Sequence, residues 1–529
     1  MKKHALCWLL PLCLLSCDAL FRPLRGNHPD NCRVNANLCG SNQVCDDVLE
    51  RCVNAGTADM GGCPPTCPAG QACSLQKGTC ETLLTFDVVS VSPRSVTVGS
   101  APLVTLRGIG FEPGMTVTFM GMPGSNVNVM AQDVATVQVP VVTQAGPARV
   151  EIRKAGMSAG RDGLFGFAWL TVDFVADTLL PTNTETPGAL FVADLNNDQT
   201  LDVAALHGAS ASTYLSLAQS STAKSTVNIG SFSLDGRLFG AQLNGDGVRD
   251  LVYLDRSNGR ALSLLNNGNG TLTSSPPTLT LPSPTLAASV GDLNEDGLVD
   301  LVVTKSGPDQ LYVQPGLGGG VFSATASTII GIGPQACDLA VGLFNGDTRP
   351  DIALLECGGM GVRVFLNMGG GNFSAPLNTP TRQGMSAPVS MAATDFNLDG
   401  RLDLVVLNGG PAISGHVSVL LGNGNGTFGN IATVSVPSDY ASVASGDVDG
   451  DGLPDVLIGP ASGVTSISFG LLLNDNGTTL KPPQLFAAPM GHKSGLHTLA
   501  VGDVTGDGKA DFVYSAAAND AVLFRNQSR

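Results

Sequence analysis

The feature that most constrains this chain is an acidic motif that recurs seven times at a nearly constant spacing. The motif reads Asp-x-Asn/Asp-x-Asp-Gly-x-x-Asp and is followed by an apolar run. Its copies begin at positions 194, 242, 292, 343, 395, 447 and 503, which are 48 to 56 residues apart. An internal period in this range is typical of the blades of a β-propeller.

Each repeat also has the same internal order of apolar runs. One run leads into the acidic motif, a second leaves it, a third ends in a Gly/Asn turn, and a looser fourth closes the unit. Short runs separated by turn residues indicate β-strands, so each repeat predicts four strands. We therefore expect an all-β chain whose residues 170–529 form a seven-bladed β-propeller.

The last repeat stops after its third apolar run, VLFRN, while the segment LTVDFVADTL at 170–179 precedes the first repeat and belongs to none. We expect that segment to supply the missing outer strand of the seventh unit. This pairing would close the ring without a covalent bond.

The spacing inside the motif suits a hard cation. Oxygens at motif positions 1, 3, 5 and 9, with a backbone carbonyl near position 7, can surround one Ca²⁺ ion, which takes six to eight oxygen ligands. Gly at position 6 permits the turn that brings the last Asp back. Mg²⁺ demands tighter octahedral geometry, and transition metals favour His or Cys, which these positions lack.

Four copies keep Asp at positions 1, 5 and 9 with Gly at position 6, and the first copy differs from them in having Gln199 at position 6. We predict four or five Ca²⁺ ions in these loops. The predicted ligands are Asp194, Asn196, Asp198, Asp202, Asp292, Asn294, Asp296, Asp300, Asp395, Asn397, Asp399, Asp403, Asp447, Asp449, Asp451, Asp455, Asp503, Thr505, Asp507 and Asp511.

Two copies are degenerate, because Gln242 and Leu343 replace the first acid and Thr348 replaces the Gly of the second of them. We expect these two loops to bind the ion weakly or not at all. For any single loop the alternative is an Asx-rich turn without metal. The remaining candidate ligands of the degenerate loops are Asn244, Asp246, Asp250, Asn345, Asp347 and Asp351.

The repeated motif and its flanking runs, such as GGGNF and GNGTF, resemble the FG-GAP and VCBS repeats of integrin-α-like propellers over residues 170–529. The resemblance implies a calcium-stabilised ring whose partner docks on one face, most often the face opposite the metal loops.

Residues 83–169 form a separate segment of short alternating runs with Gly and Pro turns, which predicts a small β-sandwich. The stretch from VVSVSPRSVTVGS to MTVTFMG, with Val137, Val139 and Pro140, resembles the immunoglobulin-like IPT/TIG domains. In exported proteins that resemblance implies a spacer or an adhesion module.

The N-terminus predicts export. Lys2 and Lys3 precede an apolar stretch that is too short to span a bilayer permanently. The run ends Leu-Leu-Ser-Cys17, which resembles a bacterial lipobox and implies a signal at residues 1–16 and a lipidated Cys17. An ordinary secretory signal is the alternative. We expect an exported envelope lipoprotein and favour the outer membrane or the cell surface as its location. The sequence does not decide between the inner and the outer membrane.

Residues 17–82 are rich in cysteine. Eight Cys in a short exported segment predict a disulfide framework with pairing inside two sets of four, and zinc is the weaker alternative because no C-x2-C pair occurs. A further pair, in the fourth repeat, is predicted to form a bridge. These cysteines are Cys32, Cys39, Cys45, Cys52, Cys63, Cys67, Cys73, Cys80, Cys337 and Cys357.

The chain carries a net charge of −16, which disfavours nucleic acid and anionic membrane surfaces as main partners. The ligand positions of the seven motifs hold 20 of its 44 acidic residues, so the acidity is better explained by cation sites.

The sequence has no G-x-S-x-G, H-E-x-x-H or G-x-x-x-x-G-K motif, and we predict no catalytic residues and no enzyme. The expected function is a calcium-binding, lipid-anchored binding or adhesion module for an unidentified protein or glycan. The alternatives are an exported hydrolase or lyase that uses the propeller as a scaffold, and a structural envelope component.

Overall fold

In the computed structural model, the described part of the chain contains strands and turns but no helix, so the predicted all-β fold is confirmed. No helix among these residues is therefore long and apolar enough to cross a membrane. The described residues are 43–46, 51–54, 71–74, 79–82, 86–154, 157–169, 171–181, 187–207, 209–215, 217, 225–230, 236–282, 284–307, 309–333, 336–358, 361–381, 387–409, 415–461, 468–487, 494–516 and 520–528.

Two β-hairpins are described in the cysteine-rich segment. Gln43–Asp46 pairs with Arg51–Asn54, and Gln71–Ser74 pairs with Thr79–Thr82. The registers pair Cys45 with Cys52 and Cys73 with Cys80, so the last two cysteines of each set of four occupy paired positions on the two strands of a hairpin. The signal 1–16, Cys17, Cys32, Cys39, Cys63 and Cys67 lie outside the described residues.

The chain divides into two compact units, of which the first ends at Phe165 and excludes Gln144–Gly146. The strands that follow the hairpins form a four-stranded and a five-stranded sheet, with buried side chains such as Val88 and Leu106 in one and Phe119 in the other. In spatial order the strands are Ser125–Ala131, Val134–Gln138, Leu103–Ile109 and Asp87–Ser92, then Ser95–Thr97, Met157–Ala168, Gly146–Lys154, Thr116–Phe119 and Met122–Pro123.

The second unit contains seven four-stranded antiparallel sheets within its described residues, numbered here in the order of the acidic motifs. Their strands, in spatial order, are Pro187–Ala193, Asp202–His207, Ser210–Tyr214 and Ser225–Asn228 (sheet 1); Gly236–Ala241, Asp250–Asp255, Arg260–Asn266 and Leu272–Thr280 (sheet 2); Thr285–Gly291, Asp300–Lys305, Gln310–Gln314 and Thr328–Gly331 (sheet 3); Ala336–Gly342, Asp351–Glu356, Gly361–Phe365 and Leu377–Pro380 (sheet 4); Ala387–Thr394, Asp403–Gly409, Gly415–Gly422 and Phe428–Val436 (sheet 5); Tyr440–Gly446, Asp455–Pro460, Ser468–Leu472 and Gln484–Ala487 (sheet 6); and Ser494–Gly502, Asp511–Ala516, Asp520–Asn526 and Phe174–Pro181 (sheet 7).

Three of these sheets carry a small hairpin between their third and fourth strands. The hairpins are Gly316–Gly318 with Val321–Phe322, Asn367–Gly369 with Asn372–Phe373, and Asn474–Asp475 with Thr479–Leu480.

The apolar core of this unit lies between neighbouring sheets. In the second strand of sheet 2, Leu251 and Tyr253 join a cluster shared with sheet 1, while Val252 and Leu254 join one shared with sheet 3. Alternate residues of a strand point to opposite faces, so a strand covered on both faces must be apolar throughout. This explains the uninterrupted runs that follow each acidic motif.

The last sheet of the second unit packs against the first. A buried cluster also joins sheet 7 to sheet 1, with Val513 and Leu523 on one side and Val203 on the other. The strand Phe174–Pro181 completes sheet 7, because it pairs antiparallel with Asp520–Asn526, the last strand in sequence. The structure thus confirms that the segment before the first repeat supplies the outer strand of the seventh.

Candidate metal loops

Each acidic motif forms the turn between the first and second strands of its sheet. Loop 3, for example, begins at Asp292, just after the strand that ends at Gly291, and its last acid, Asp300, opens the next strand. We call the seven turns loops 1 to 7 and keep motif positions 1 to 9. Because the sheets share one connectivity, all seven loops lie at equivalent strand ends.

Six loops wrap in the same way. Their residues at positions 4 and 6 have positive φ, as at Gly450 (78°) and Gly452 (88°) in loop 6. Gln199, which replaces Gly in loop 1, adopts the same left-handed conformation with a φ of 71°. Loop 1 therefore keeps the turn of the complete motifs despite its altered sequence, at the cost that left-handed backbone imposes on a residue other than glycine.

The left-handed turn points the position 6 amide at the first acid. The N–H of Gly452 donates to Asp447 Oδ2 at 2.8 Å, and that of Gln199 donates to Asp194 Oδ2 at 2.9 Å. The same bond, at 2.8 or 2.9 Å, occurs in loops 3, 5 and 7. These five loops are those that the sequence singles out as complete or nearly so.

The acid at position 5 is held by its own turn. In all seven loops its Oδ1 accepts the N–H of position 7 at 2.8 to 3.0 Å. These acids are Asp198, Asp246, Asp296, Asp347, Asp399, Asp451 and Asp507.

The acid at position 9 is buried in every loop, and in loops 2 to 7 it links the loop to the end of the third strand or to the residues just after it. In loop 6, Asp455 Oδ2 accepts the N–H of Val448 and Oδ1 accepts the N–H of Asn474, both at 2.8 Å. Both bonds recur in loops 2 to 5, so this residue has a structural role that is independent of any ion. These acids are Asp202, Asp250, Asp300, Asp351, Asp403, Asp455 and Asp511.

Loop 6 is the loop in which all four of positions 1, 3, 5 and 9 are acidic. Asp447, Asp449 and Asp455 each place one carboxylate oxygen within 4.8 Å of the others. Asp449, Asp451 and Asp455 are no more than 4% exposed. The backbone N–H of Trp169 donates to the carbonyl oxygen of Asp449 at 2.8 Å, and this bond holds the backbone at Trp169 against loop 6.

Burial governs the titration of these carboxyl groups. Burial, with Asp451 nearby, raises the pKa of Asp447 to about 6 and that of Asp449 to about 7. Burial likewise raises the pKa of Asp455 well above its ordinary value. In loops 5 and 7, burial raises the pKa of Asp403 and of Asp511 to about 6. Clustered carboxylates removed from water favour either protons or a bound cation.

The donor set of loop 6 fits a hard cation. All of its side-chain donors are oxygens, and Asp447 Oδ1 is buried with no hydrogen-bond partner among the described residues. A bound Ca²⁺ would supply the missing partner and offset the repulsion between carboxylates, whereas a soft metal would find no nitrogen or sulfur ligand.

The degenerate loop 2 satisfies its oxygens differently. Gln242 occupies position 1, where its Oε1 accepts the N–H of Gly245 at 3.0 Å and its Nε2 donates to Asp246 Oδ1 at 3.4 Å. Hydrogen bonds from the Val248 N–H and the Asn244 side chain lower the pKa of Asp246. This carboxylate is stabilised as an anion by the loop itself.

Sequence reasoning missed a set of buried asparagines that connect neighbouring sheets at the loops. Asn367, which begins the small hairpin after the third strand of sheet 4, donates from Nδ2 to the carbonyl oxygens of Leu293 in loop 3 and of Pro350 in its own loop, at 2.9 and 3.1 Å. The only signal in the sequence is the Asn that ends the third apolar run. The equivalent residues are Asn266, Asn474 and Asn526, which reach loops 1, 5 and 6.

A cystine lies at the opposite end of sheet 4. Cys337 and Cys357 form a disulfide with Cα atoms 5.7 Å apart, and it links the start of the first strand to the residue after the second.

Many solved structures are similar to much of the chain, whereas no curated protein matches its sequence. An Agrocybe aegerita lectin that recognises non-reducing terminal N-acetylglucosamine is 17% identical, with 76% of this chain and 100% of that one covered and a TM-score of 0.43. An auxiliary nutrient binding protein from Bacteroides thetaiotaomicron VPI-5482 is 10% identical, with 84% and 98% covered and a TM-score of 0.37. At this level of similarity neither protein's ligand carries over.

The FG-GAP-like repeat matches four overlapping stretches, at residues 242–303, 292–354, 344–406 and 395–458. Each stretch runs from one acidic loop through the next, and together they cover loops 2 to 6. The repeats of residues 242–458 are FG-GAP-like repeats.

Proposed function

We propose that residues 170–529 form a calcium-stabilised seven-bladed β-propeller that serves as a binding or adhesion module. The observation that carries the proposal is loop 6, where Asp447, Asp449 and Asp455 converge and Asp447 Oδ1 is buried with no hydrogen-bond partner among the described residues. Loops 1, 3, 5 and 7 share its turn and the bond from position 6 to the first acid, which supports a set of four or five ions.

The calcium ions are proposed to be structural. Each ion would bridge the start and the end of the turn between the first two strands of a sheet. Because the position 9 acid also accepts a hydrogen bond from a backbone N–H near the end of the third strand, the ion would stabilise that contact as well. Removal of the ions would leave several carboxylates at short range, and their mutual repulsion would loosen the turn.

The remaining parts of the chain are proposed to display this ring. A lipid on Cys17 would anchor the protein to the cell envelope, the disulfide-rich segment 17–82 would act as a stalk, and an IPT/TIG-like sandwich at 83–169 would act as a spacer. The partner is proposed to be a protein or a glycan that docks on a face of the ring, without nucleic acid.

One buried pair of opposite charges, Arg237 and Asp338, has an acid that already accepts several hydrogen bonds. Arg237 in sheet 2 forms a buried ion pair with Asp338 in sheet 4. The carboxylate of Asp338 also accepts the N–H groups of Leu339 and Met391, both at 2.9 Å. A carboxylate with this many donors has little capacity left to act as a general base, which supports the binding module over the hydrolase or lyase.

Metal analysis and thermal unfolding test the calcium proposal. The purified mature chain should carry four or five equivalents of calcium after dialysis against micromolar Ca²⁺, and a chelator should lower its Tm by many degrees. A Tm that does not respond to the chelator would refute the structural role. Capture of envelope proteins and glycans with and without Ca²⁺ would then identify the partner class.

A further inference from the structure

Loop 4 departs from the other six loops in its backbone. Neither Gly346 at position 4 nor Thr348 at position 6 has a positive φ, although the structure describes both residues. Thr is β-branched and disfavours the left-handed region. The turn that brings an amide towards position 1 is therefore missing, and Leu343 occupies that position with 45% of its surface exposed.

The guanidinium group of Arg349 neutralises the carboxylate of Asp347, which loop 4 retains at position 5. Arg349, at position 7, donates from Nη2 to Asp347 Oδ2 at 2.7 Å and from Nε to the carbonyl oxygen of Asn367 at 3.0 Å. Its Nε also lies 3.6 Å from Oε1 of Glu295, which belongs to loop 3. One cation thus contacts an acid in each of two adjacent loops and the turn that lies between them.

Every carboxylate oxygen of the two loop 4 acids already has a donor. Asp347 Oδ1 accepts the Arg349 N–H, and its Oδ2 accepts Asn345 Nδ2 in addition to the guanidinium. Asp351 Oδ1 accepts the N–H of Asn367, and its Oδ2 accepts that of Phe344. Loop 4 has no acid at position 1, which is the position in loop 6 where Asp447 Oδ1 is buried and has no partner among the described residues.

We propose that Arg349 is a built-in substitute for the calcium ion in loop 4, and that it keeps metal out of this loop. The inference rests on the proposed calcium binding of the other loops. A positive charge at this place repels a divalent cation and supplies the donors that the acids would otherwise seek from it.

Loop 5 provides a natural comparison. It also has an arginine at position 7, but Arg401 Nη1 lies 3.7 Å from Asp399 Oδ2, beyond hydrogen-bonding distance. Loop 5 also keeps Asp395 at position 1 and the left-handed Gly400 at position 6. An arginine at position 7 is therefore compatible with the complete motif when, as in loop 5, its guanidinium makes no hydrogen bond to the acid at position 5, and it is this bond that distinguishes Arg349.

Hydrogen exchange of the full chain, followed by mass spectrometry on peptides that cover each loop, tests the substitution locally. In the wild type, the protection of loop 4 should be the same in Ca²⁺ and in chelator. In chelator, Arg349→Ala should speed exchange in loop 4 about fivefold, the effect of losing ion pairs worth about 1 kcal/mol, and the matched Arg401→Ala should leave loop 5 unchanged. Calcium-dependent protection of wild-type loop 4, or equal effects of the two variants, would overturn the inference.

Repair of the loop tests the control of metal uptake. Leu343→Asp with Thr348→Gly restores positions 1 and 6, and the further change Arg349→Leu removes the guanidinium. The triple variant should bind one more Ca²⁺ per chain than the wild type, whereas the double variant should bind the added ion at least about tenfold more weakly. Equal affinity of the two variants would refute the role of Arg349.

The two proposals fail separately. If wild-type protein binds no Ca²⁺ and no loop changes its exchange, the calcium proposal fails. The comparison of Arg349→Ala with Arg401→Ala in chelator then still decides whether the guanidinium holds loop 4 together.

Discussion

Asn367 and Leu293 belong to adjacent sheets, and the side-chain amide of the first donates a 2.9 Å hydrogen bond to the backbone carbonyl oxygen of the second. The bond is buried and connects the hairpin that follows one sheet's third strand to the acidic loop of the sheet before it. Neighbouring sheets are thus joined by a specific polar contact as well as by apolar packing.

Loss of this amide should destabilise the ring. Asn367→Ala leaves the buried carbonyl oxygen of Leu293 and the partly buried one of Pro350 without this donor, so we expect a loss of about 1–3 kcal/mol in the free energy of unfolding. Denaturant unfolding measures it. Asn372→Ala, an exposed position in the same hairpin, is the matched control, and a loss as large as that of Asn367→Ala would argue against the inter-sheet bond.

The calcium effect should depend on pH. The folded-state pKa values of Asp447 and Asp449, about 6 and about 7, exceed the ordinary value of 3.8. The calcium-free fold therefore holds protons that the unfolded chain releases, and its stability falls as the pH rises from about 4 to about 7. Ca²⁺ competes with those protons, so its stabilising effect should grow over the same window.

Thermal unfolding at pH 5 and at pH 7.5, each with Ca²⁺ and with a chelator, measures this dependence. We expect the gap in Tm between the two conditions to be clearly larger at pH 7.5. A gap that is constant over this range would show that these carboxyl groups do not control binding.

The strand Phe174–Pro181 should be essential to the whole ring. Its removal by internal deletion exposes the edge of Asp520–Asn526 and the aromatic side chains that Phe174 covers, those of Phe486 and Phe512. We expect a cooperative loss of stability of many degrees in Tm, measured by calorimetry, since every other sheet depends on its two neighbours. An unchanged Tm would contradict closure by this strand.

The buried ion pair between Arg237 and Asp338 should matter most when it is broken on one side. Arg237→Met leaves the carboxylate of Asp338 buried without its cation, so we expect a loss of about 3–5 kcal/mol. The double change Arg237→Met with Asp338→Leu removes both charges and should cost less. Denaturant unfolding of the two variants makes the comparison, and equal losses would mean that packing, rather than charge, is the cause.

The sequence predicted what repeats along the chain. The spacing of the acidic motifs indicated seven similar units, and the unassigned segment before the first indicated the strand that completes the last. Both follow from local patterns, since a four-strand unit leaves its signature in consecutive apolar runs and turns.

The features that the sequence did not reveal arise between repeats. The partner of Asn367 is 74 residues away, and the third run that ends in Asn shows no sign of it. Likewise, Arg349 looks like an ordinary exposed charge until the fold brings Glu295 within reach. Contacts of this kind depend on how neighbouring sheets stack, which single-repeat patterns do not encode.

The pairing of Phe174–Pro181 with Asp520–Asn526 also determines when the domain can complete its folding. During synthesis the first of these strands emerges long before the second. The intervening sheets therefore keep an edge and apolar faces uncovered until almost the whole domain has been made. Such a chain gains its full cooperativity in one late step, and until then it is open to proteases and to aggregation. The time between the two strands is the interval in which a chaperone would be most needed.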